Sequence, residues 1–113
     1  YNKALEYLQN SLKIREKVYQ EDYLYIASSY NIIAGLYDSL GEYTKALEYY
    51  QKSLKIYEKV YQDNDNNDFA ELYNKIGLTY DNLGQNQKAT EYKQKSLKIR
   101  EIIYHKNQMN KIL

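Results

Sequence analysis

Residues 3–20 read KALEYLQNSLKIREKVYQ, residues 45–62 read KALEYYQKSLKIYEKVYQ, and residues 88–105 read KATEYKQKSLKIREIIYH. The phrases open on Ala4, Ala46 and Ala89, at spacings of 42 and 43. A unit of that size is one supersecondary element that cannot bury its own apolar face, so it stacks on its neighbours. The repetition predicts an all-α fold, an antiparallel helix-pair solenoid. It also favours a binding or scaffolding surface over an enzyme.

Within each phrase apolar groups recur at three and four residues, the period of an α-helix. Residues 2–20 carry it through Ala4, Leu8, Ser11, Leu12, the stem of Arg15, Val18 and Tyr19. Residues 45–61 repeat it, and residues 88–104 do so again, weakened at Lys93. Two shorter helices are expected between them, at 24–40 and 68–83. Tyr30, Ile33, Ala34, Tyr37 and Leu40 mark one face of the first; Tyr73, Ile76, Gly77, Tyr80 and Leu83 are their counterparts. Each ends at Gly41 or Gly84, placed to take a left-handed cap. Thr44 is positioned to cap the helix that follows Gly41. An acidic break after Gln20 separates 2–20 from 24–40, which makes five helices in all. DNDNND (63–68) breaks the chain at the matching place, carries the extra residue of the second spacing, and lets Asp68 cap the helix near Phe69.

Small residues mark close approaches. Ala34 and Gly77 face the crossing inside each pair, and Ala46 and Ala89 do so from the partner helix. Glycine inside a helix costs about 1 kcal/mol relative to alanine, so Gly77 marks a place where closeness outweighs propensity. Ser11, Ser53 and Ser96 are expected to make room for the next pair.

Composition narrows the function. The 113 residues fit one domain, and 16 basic against 15 acidic side chains leave a net charge of +1. That balance gives no global pull toward nucleic acid or an anionic membrane. The absence of cysteine excludes disulfides and thiolate chemistry. No apolar run approaches the roughly 20 residues of a membrane span, and no leader sequence is visible in a chain that begins mid-motif, so the cytoplasm is the expected location. There are 16 tyrosines against one phenylalanine and no tryptophan. A buried tyrosine fills space like phenylalanine but needs a hydroxyl partner, so these rings should reach a polar neighbour or the surface.

These residues resemble the tetratricopeptide repeat, whose pattern is an aromatic, Leu-Gly and Tyr in the first helix, Gly-x-Tyr at the turn, and Ala, aromatic, Ala in the second. The first full unit reads Tyr30, Ile33-Ala34, Tyr37, Gly41, Tyr43, Ala46, Tyr50 and Ser53. The second reads Tyr73, Ile76-Gly77, Tyr80, Gly84, Asn86, Ala89, Lys93 and Ser96, departing at Asn86 and Lys93. The period is longer than the family's usual one, and SLKIYEKVYQ (53–62) is similar to the kinesin light chain type of this repeat. The resemblance implies a right-handed superhelix and a protein or peptide partner. The domain divides into a half repeat at 1–22, full repeats at about 23–64 and 65–107, and a tail at 108–113.

In such a stack the first helix of each pair lines the concave side. The peptide-binding candidates there are Asn31, Gly35 and Asp38 in one unit and Asn74, Leu78, Asp81 and Asn82 in the next. An asparagine offers a donor and an acceptor together, which suits the backbone of an extended peptide. Asp38 and Asp81 lie seven residues further on, about 10 Å along the same face, and would favour Lys or Arg in a partner. A cationic clamp is not supported, because Lys75 has Ile32 as its counterpart.

The alternative function is self-association through the open ends of the stack. Its candidates are Tyr7, Leu8 and Ile14 at one end and Met109, Ile112 and Leu113 in the trailing segment, which can extend the last helix. A homo-oligomer would follow. His105 is the one histidine, so a zinc site lacks ligands and no metal is expected. No Ser-His-Asp set or glycine-rich phosphate cradle is present, so neither catalysis nor a cofactor is expected. Lys13, Lys55 and Lys98 recur, but Glu48, Glu58 and Glu91 share their helices, which argues against nucleic acid.

Overall fold

A computed structural model describes residues 2–112, apart from the side chains of residues 2, 5, 15 and 16. Every regular element among them is helical: α1 Asn2–Ser39, α2 Tyr43–Val60, α3 Asn67–Asn82 and α4 Asn86–Ile112. The second half of α1 pairs with α2, α3 pairs with α4, and α2 packs on α3 to join the pairs. This is the all-α helix-pair solenoid that the repetition predicts.

The count of helices differs. The expected break after Gln20 is absent, and residues 2–39 form one helix of 38 residues, so there are four helices rather than five. Gln20, Glu21, Asp22 and Tyr23 include no glycine or proline, so nothing local interrupts the hydrogen-bond ladder. Nor does packing bend it. The described side chains of residues 3–18 are exposed apart from a half-buried Ser11. At 1.5 Å per residue α1 is about 57 Å long, and it accounts for most of the molecule's 63 Å long dimension. We refer to residues 2–20 as the arm. The stem of Arg15 and all of Leu113 lie outside the described residues.

The two glycine turns form as the sequence requires. Gly41 and Gly84 sit at φ 78° and 77°. The Glu42 N–H donates to the Tyr37 carbonyl and the Gln85 N–H to the Tyr80 carbonyl, both at 2.9 Å, closing the same helix-ending motif twice. Two expected caps move. Glu42, not Thr44, occupies the N-cap of α2, without a side-chain cap bond. The closing bond already fixes the chain up to Glu42, so the helix starts directly after it and Thr44 falls in its first turn. Asn66, not Asp68, caps α3 by accepting from the Phe69 N–H at 3.0 Å. Asp68 lies in the first turn, where a carboxylate suits the helix dipole and accepts the Tyr61 hydroxyl.

The close crossings hold. Ala34 and Ala46 are fully buried and Ala89 is nearly so. A Cβ on Gly77 would meet Lys93 Cγ at 2.9 Å and the Ala89 carbonyl at 3.1 Å. Ser96 serves its own pair rather than the next one, donating from Oγ to the Ala70 carbonyl at 2.6 Å. The joint between pairs centres on Phe69, whose ring lies 5.7 Å from that of Tyr57 and 5.8 Å from that of Tyr61. The trailing segment extends α4 to Ile112, as its sequence allows.

Candidate functional site

The first helices of the two pairs, the second half of α1 and α3, stand side by side with a cleft of about 420 Å³ between them. From α1, Ser28, Asn31, Ile32 and Gly35 line one wall, spaced at three and four so that they share a helix face. From α3, Asp68, Glu71, Leu72 and Lys75 line the other wall, and Tyr57 of α2 also lines it. The backbone is bare at Gly35, where a Cβ would meet nothing within 4 Å. Ile32 stands at the rim, 66% exposed.

Asn31 is held from below: its Nδ2 donates to the Tyr57 hydroxyl at 3.1 Å. The Oδ1 of the same amide is buried with no partner. Burial pushes the Tyr57 phenol above its ordinary value, with the Asp68 charge adding to the rise, so the ring stays neutral and keeps its proton. On the α3 wall Lys75 pairs with Glu71 at 3.3 Å, both well exposed. The lysine's charge is therefore shared with a neighbour.

The other candidate residues divide. Asp38 does not point into the cleft as a free carboxylate. It accepts the Tyr50 hydroxyl at 3.0 Å and the Thr79 hydroxyl at 2.9 Å, tying α1 to α2 and α3 at once. Burial, followed by the Asp38 charge, pushes the Tyr50 phenol up. Asp81, its counterpart, is paired with Lys93. Lys93 occupies the position of Tyr50, so the departure from the family pattern replaces a hydroxyl donor with an ammonium aimed at the equivalent carboxylate. Asn74 is half-buried, Leu78 is 49% exposed and Asn82 is exposed, and none of the three lines the cleft. Sequence reasoning passed over Ser28, Ile32 and Glu71 as contacts. The signal for them was their three-and-four spacing from Asn31, Gly35 and Lys75 on the same faces.

The tyrosines repeat their partnerships on the helix pairs. Tyr37 stacks on Tyr49 at 5.6 Å and Tyr80 on Tyr92 at 5.6 Å. Lys52 covers Tyr49 at 4.9 Å, and Lys95 covers Tyr92 at 5.0 Å. Such cation–ring contacts contribute about 0.5–1 kcal/mol at exposed sites. They engage Lys52 and Lys95, and the recurring Lys55 and Lys98 take no part in them. The end residues are open: Tyr7, Leu8 and Ile14 are 73%, 60% and 65% exposed, and Met109 and Ile112 are 65% and 84% exposed.

Family models described as "Tetratricopeptide repeat" match residues 1–59 and residues 70–102. The chain belongs to the tetratricopeptide repeat family. Repeats of this family generally mediate protein–protein interaction and scaffolding, and the family is typically a non-enzymatic module. The first match takes in the arm as well as the first helix pair of this tetratricopeptide chain. The likeness to the kinesin light chain form rests on the repeat length and on SLKIYEKVYQ alone. No curated protein and no solved structure matches the chain. Among the described residues no helix is long and apolar enough to cross a membrane, and no group of three or more His, Cys, Asp or Glu could hold a metal ion.

Proposed function

We propose that this tetratricopeptide domain holds an extended segment of a partner protein in the cleft between α1 and α3, as an adaptor or scaffold. The observation that carries this reading is the bare backbone at Gly35 beside the unpaired Asn31 Oδ1. A partner N–H that the Asn31 amide turns to meet supplies the donor that this buried carbonyl lacks, and leaving such a group unpaired costs about 1–3 kcal/mol. The facing wall carries Asp68 and Glu71 against Lys75, which pairs with Glu71, so the remaining negative charge favours Lys or Arg in the partner. Asn74, Leu78 and Asn82 extend the track along α3. Asp38 and Asp81 support it from behind, because their carboxylates are already engaged.

An array of extended peptides varied in Lys and Arg content tests this. The best binder should weaken roughly tenfold, about 1.4 kcal/mol, when Gly35→Gln fills the cleft, and likewise in the Asn31→Ala, Asn74→Ala double variant. Unchanged affinity in both variants, with circular dichroism showing intact helices, overturns the reading. A second reading, self-association, is favoured by a separate observation: the apolar side chains of the arm stand in solvent.

A further inference from the structure

The arm differs from residues 45–62 at only three positions, Leu8 for Tyr50, Asn10 for Lys52 and Arg15 for Tyr57. In α2 these residues cover α3: Phe69, Leu72 and Thr79 are at most 1% exposed. Their counterparts on α1 are Ile26, Ser29 and Leu36, and here Ile26 is 41% and Leu36 61% exposed. The structure therefore contains both halves of a joint, a covering helix and a face to be covered, and they do not meet.

They lie on one side of one straight helix. Leu8, Leu12, Tyr19, Ile26, Ile33, Leu36 and Leu40 fall on a single stripe at alternating four- and three-residue spacing, with Arg15, Asp22 and Ser29 at the positions between. That spacing presents a continuous seam to a second helix. Leu8 and Leu36 are 28 residues apart, about 42 Å along the axis, so a straight α1 cannot bring them together within one chain. A second α1 running antiparallel can.

We propose that two copies of this chain exchange arms: residues 3–20 of each α1 lie antiparallel along the open face of the other's residues 22–40, about a twofold axis near Asp22. This deepens the self-association reading and rests on it. The contacts are Leu8 on the partner's Leu36, Leu12 on the partner's Ile33 and Tyr19 on the partner's Ile26, each made twice by symmetry. In the inner joint Tyr50 and Thr79, the counterparts of Leu8 and Leu36, both donate to the Asp38 carboxylate, which bridges them. Tyr61 and Phe69, the counterparts of Tyr19 and Ile26, have rings 5.8 Å apart.

Charge selects the antiparallel sense. The arm carries four basic residues, Lys3, Lys13, Arg15 and Lys17, against Glu6 and Glu16. Residues 21–39 carry Glu21, Asp22 and Asp38 and no basic residue. In this register antiparallel pairing sets Lys13, Arg15 and Lys17 on the partner's uncharged residues 27–32, whereas parallel pairing sets each of them on its own equivalent. Lys17 of each chain stands one turn from Glu21 and offsets the carboxylates near the axis. The connection explains why the arm reaches a second copy rather than its own chain. DNDNND (63–68), which lets α2 return onto α3, has one residue more than its counterpart EDYLY (21–25), which stays helical. A short connection that stays helical is the condition for exchange between protomers.

The chain has no cysteine, so introduced thiols report cleanly. The Leu8→Cys, Leu36→Cys double variant, oxidised and run on a non-reducing denaturing gel, should give a covalent dimer. Each single variant should stay a single chain, because neither residue meets its own equivalent. The unmodified chain should sediment at two-chain mass. An intrachain disulfide, a cross-link in either single variant, or free thiols in the double variant each overturn the exchange. If the unmodified chain sediments at one-chain mass at every concentration, self-association falls with it. If it sediments as a dimer while the cysteines fail to pair as described, only the exchange falls.

Discussion

The arm and α2 spell nearly the same eighteen residues and live in opposite surroundings. Leu54 is 7% exposed and its counterpart Leu12 is 56% exposed; Tyr50 is 3% exposed and Leu8 is 60% exposed. Both segments are helical, so helix formation follows the local pattern in each. Burial does not. α2 is buried because its two flanking turns return the chain onto it from both sides, whereas the arm runs straight on into residues 21–39. What a repeat gains in stability therefore comes from its neighbours and connectors more than from its own residues.

Equivalent positions in the two units can be set against each other in dilute solution by urea unfolding. The largest contrast is expected at Phe69. Phe69→Ala, at a fully buried site, should cost about 3–5 kcal/mol, while Ile26→Ala, at a site 41% exposed, should cost about 1 kcal/mol. Equal losses would mean that the arm's face is covered within a single chain. Next comes the carboxylate bridge. Asp38→Ala strands the buried Tyr50 hydroxyl, while the Thr79 hydroxyl keeps the Lys75 carbonyl at 2.9 Å, and should cost roughly 1–3 kcal/mol. Asp81→Ala removes one half-exposed ion pair and should cost about 0–1 kcal/mol. Then the glycines. Gly77→Ala sets the cost of crowding Ala89 and Lys93 against better helix propensity, for a net loss of about 1 kcal/mol. Gly35→Ala meets open space and should stabilise by roughly 0.5–1 kcal/mol; a loss there would close the cleft described above.

The gentlest contrast is with pH. Burial holds the phenols of Tyr50, Tyr57, Tyr61, Tyr73 and Tyr80 above their ordinary value of about 10, with nearby carboxylates adding to the rise for the first four. The folded state then keeps protons that the unfolded chain releases. Stability is fully present below the ordinary tyrosine value and falls as pH rises past it. Thermal melts across that range should show the decline beginning near pH 10. Tyr50→Phe should shallow it, and an unchanged slope would separate Tyr50 from the effect.

The sequence announced the pairs and their glycine turns because those signals are local: a three-and-four period, a glycine just past the last apolar residue, a small side chain at each crossing. It misplaced the boundary after Gln20. The acidic residues Glu21 and Asp22 suggest a break there, yet the residues present are competent for helix, and only a packed neighbour would bend them. Asn31 and Gly35 were legible as groove residues, being polar or bare on the face opposite the Tyr30–Tyr37 stripe. The engagement of Asp38 was not. Its donors come from Tyr50, one helix on, and from Thr79, 41 residues away, and no period along the chain encodes that meeting. Lys93 departs from the family pattern along the chain, and only its pairing with Asp81 in space gives the departure a role.

The tyrosine–lysine contacts carry a consequence for assembly. Tyr30, Tyr49 and Lys52 in one pair and Tyr73, Tyr92 and Lys95 in the next make the same rung at nearly the same separations. The ring and lysine contacts of each rung are completed inside its own pair; the one bond across, among the described residues, is from the Gln51 amide to the Tyr92 hydroxyl at 3.5 Å. The pairs are thus interchangeable bricks. A tandem duplication of one of them would lengthen the rod by a fixed increment, and the mortar between bricks, centred on Phe69, is where a gene that grows this way must keep its spelling.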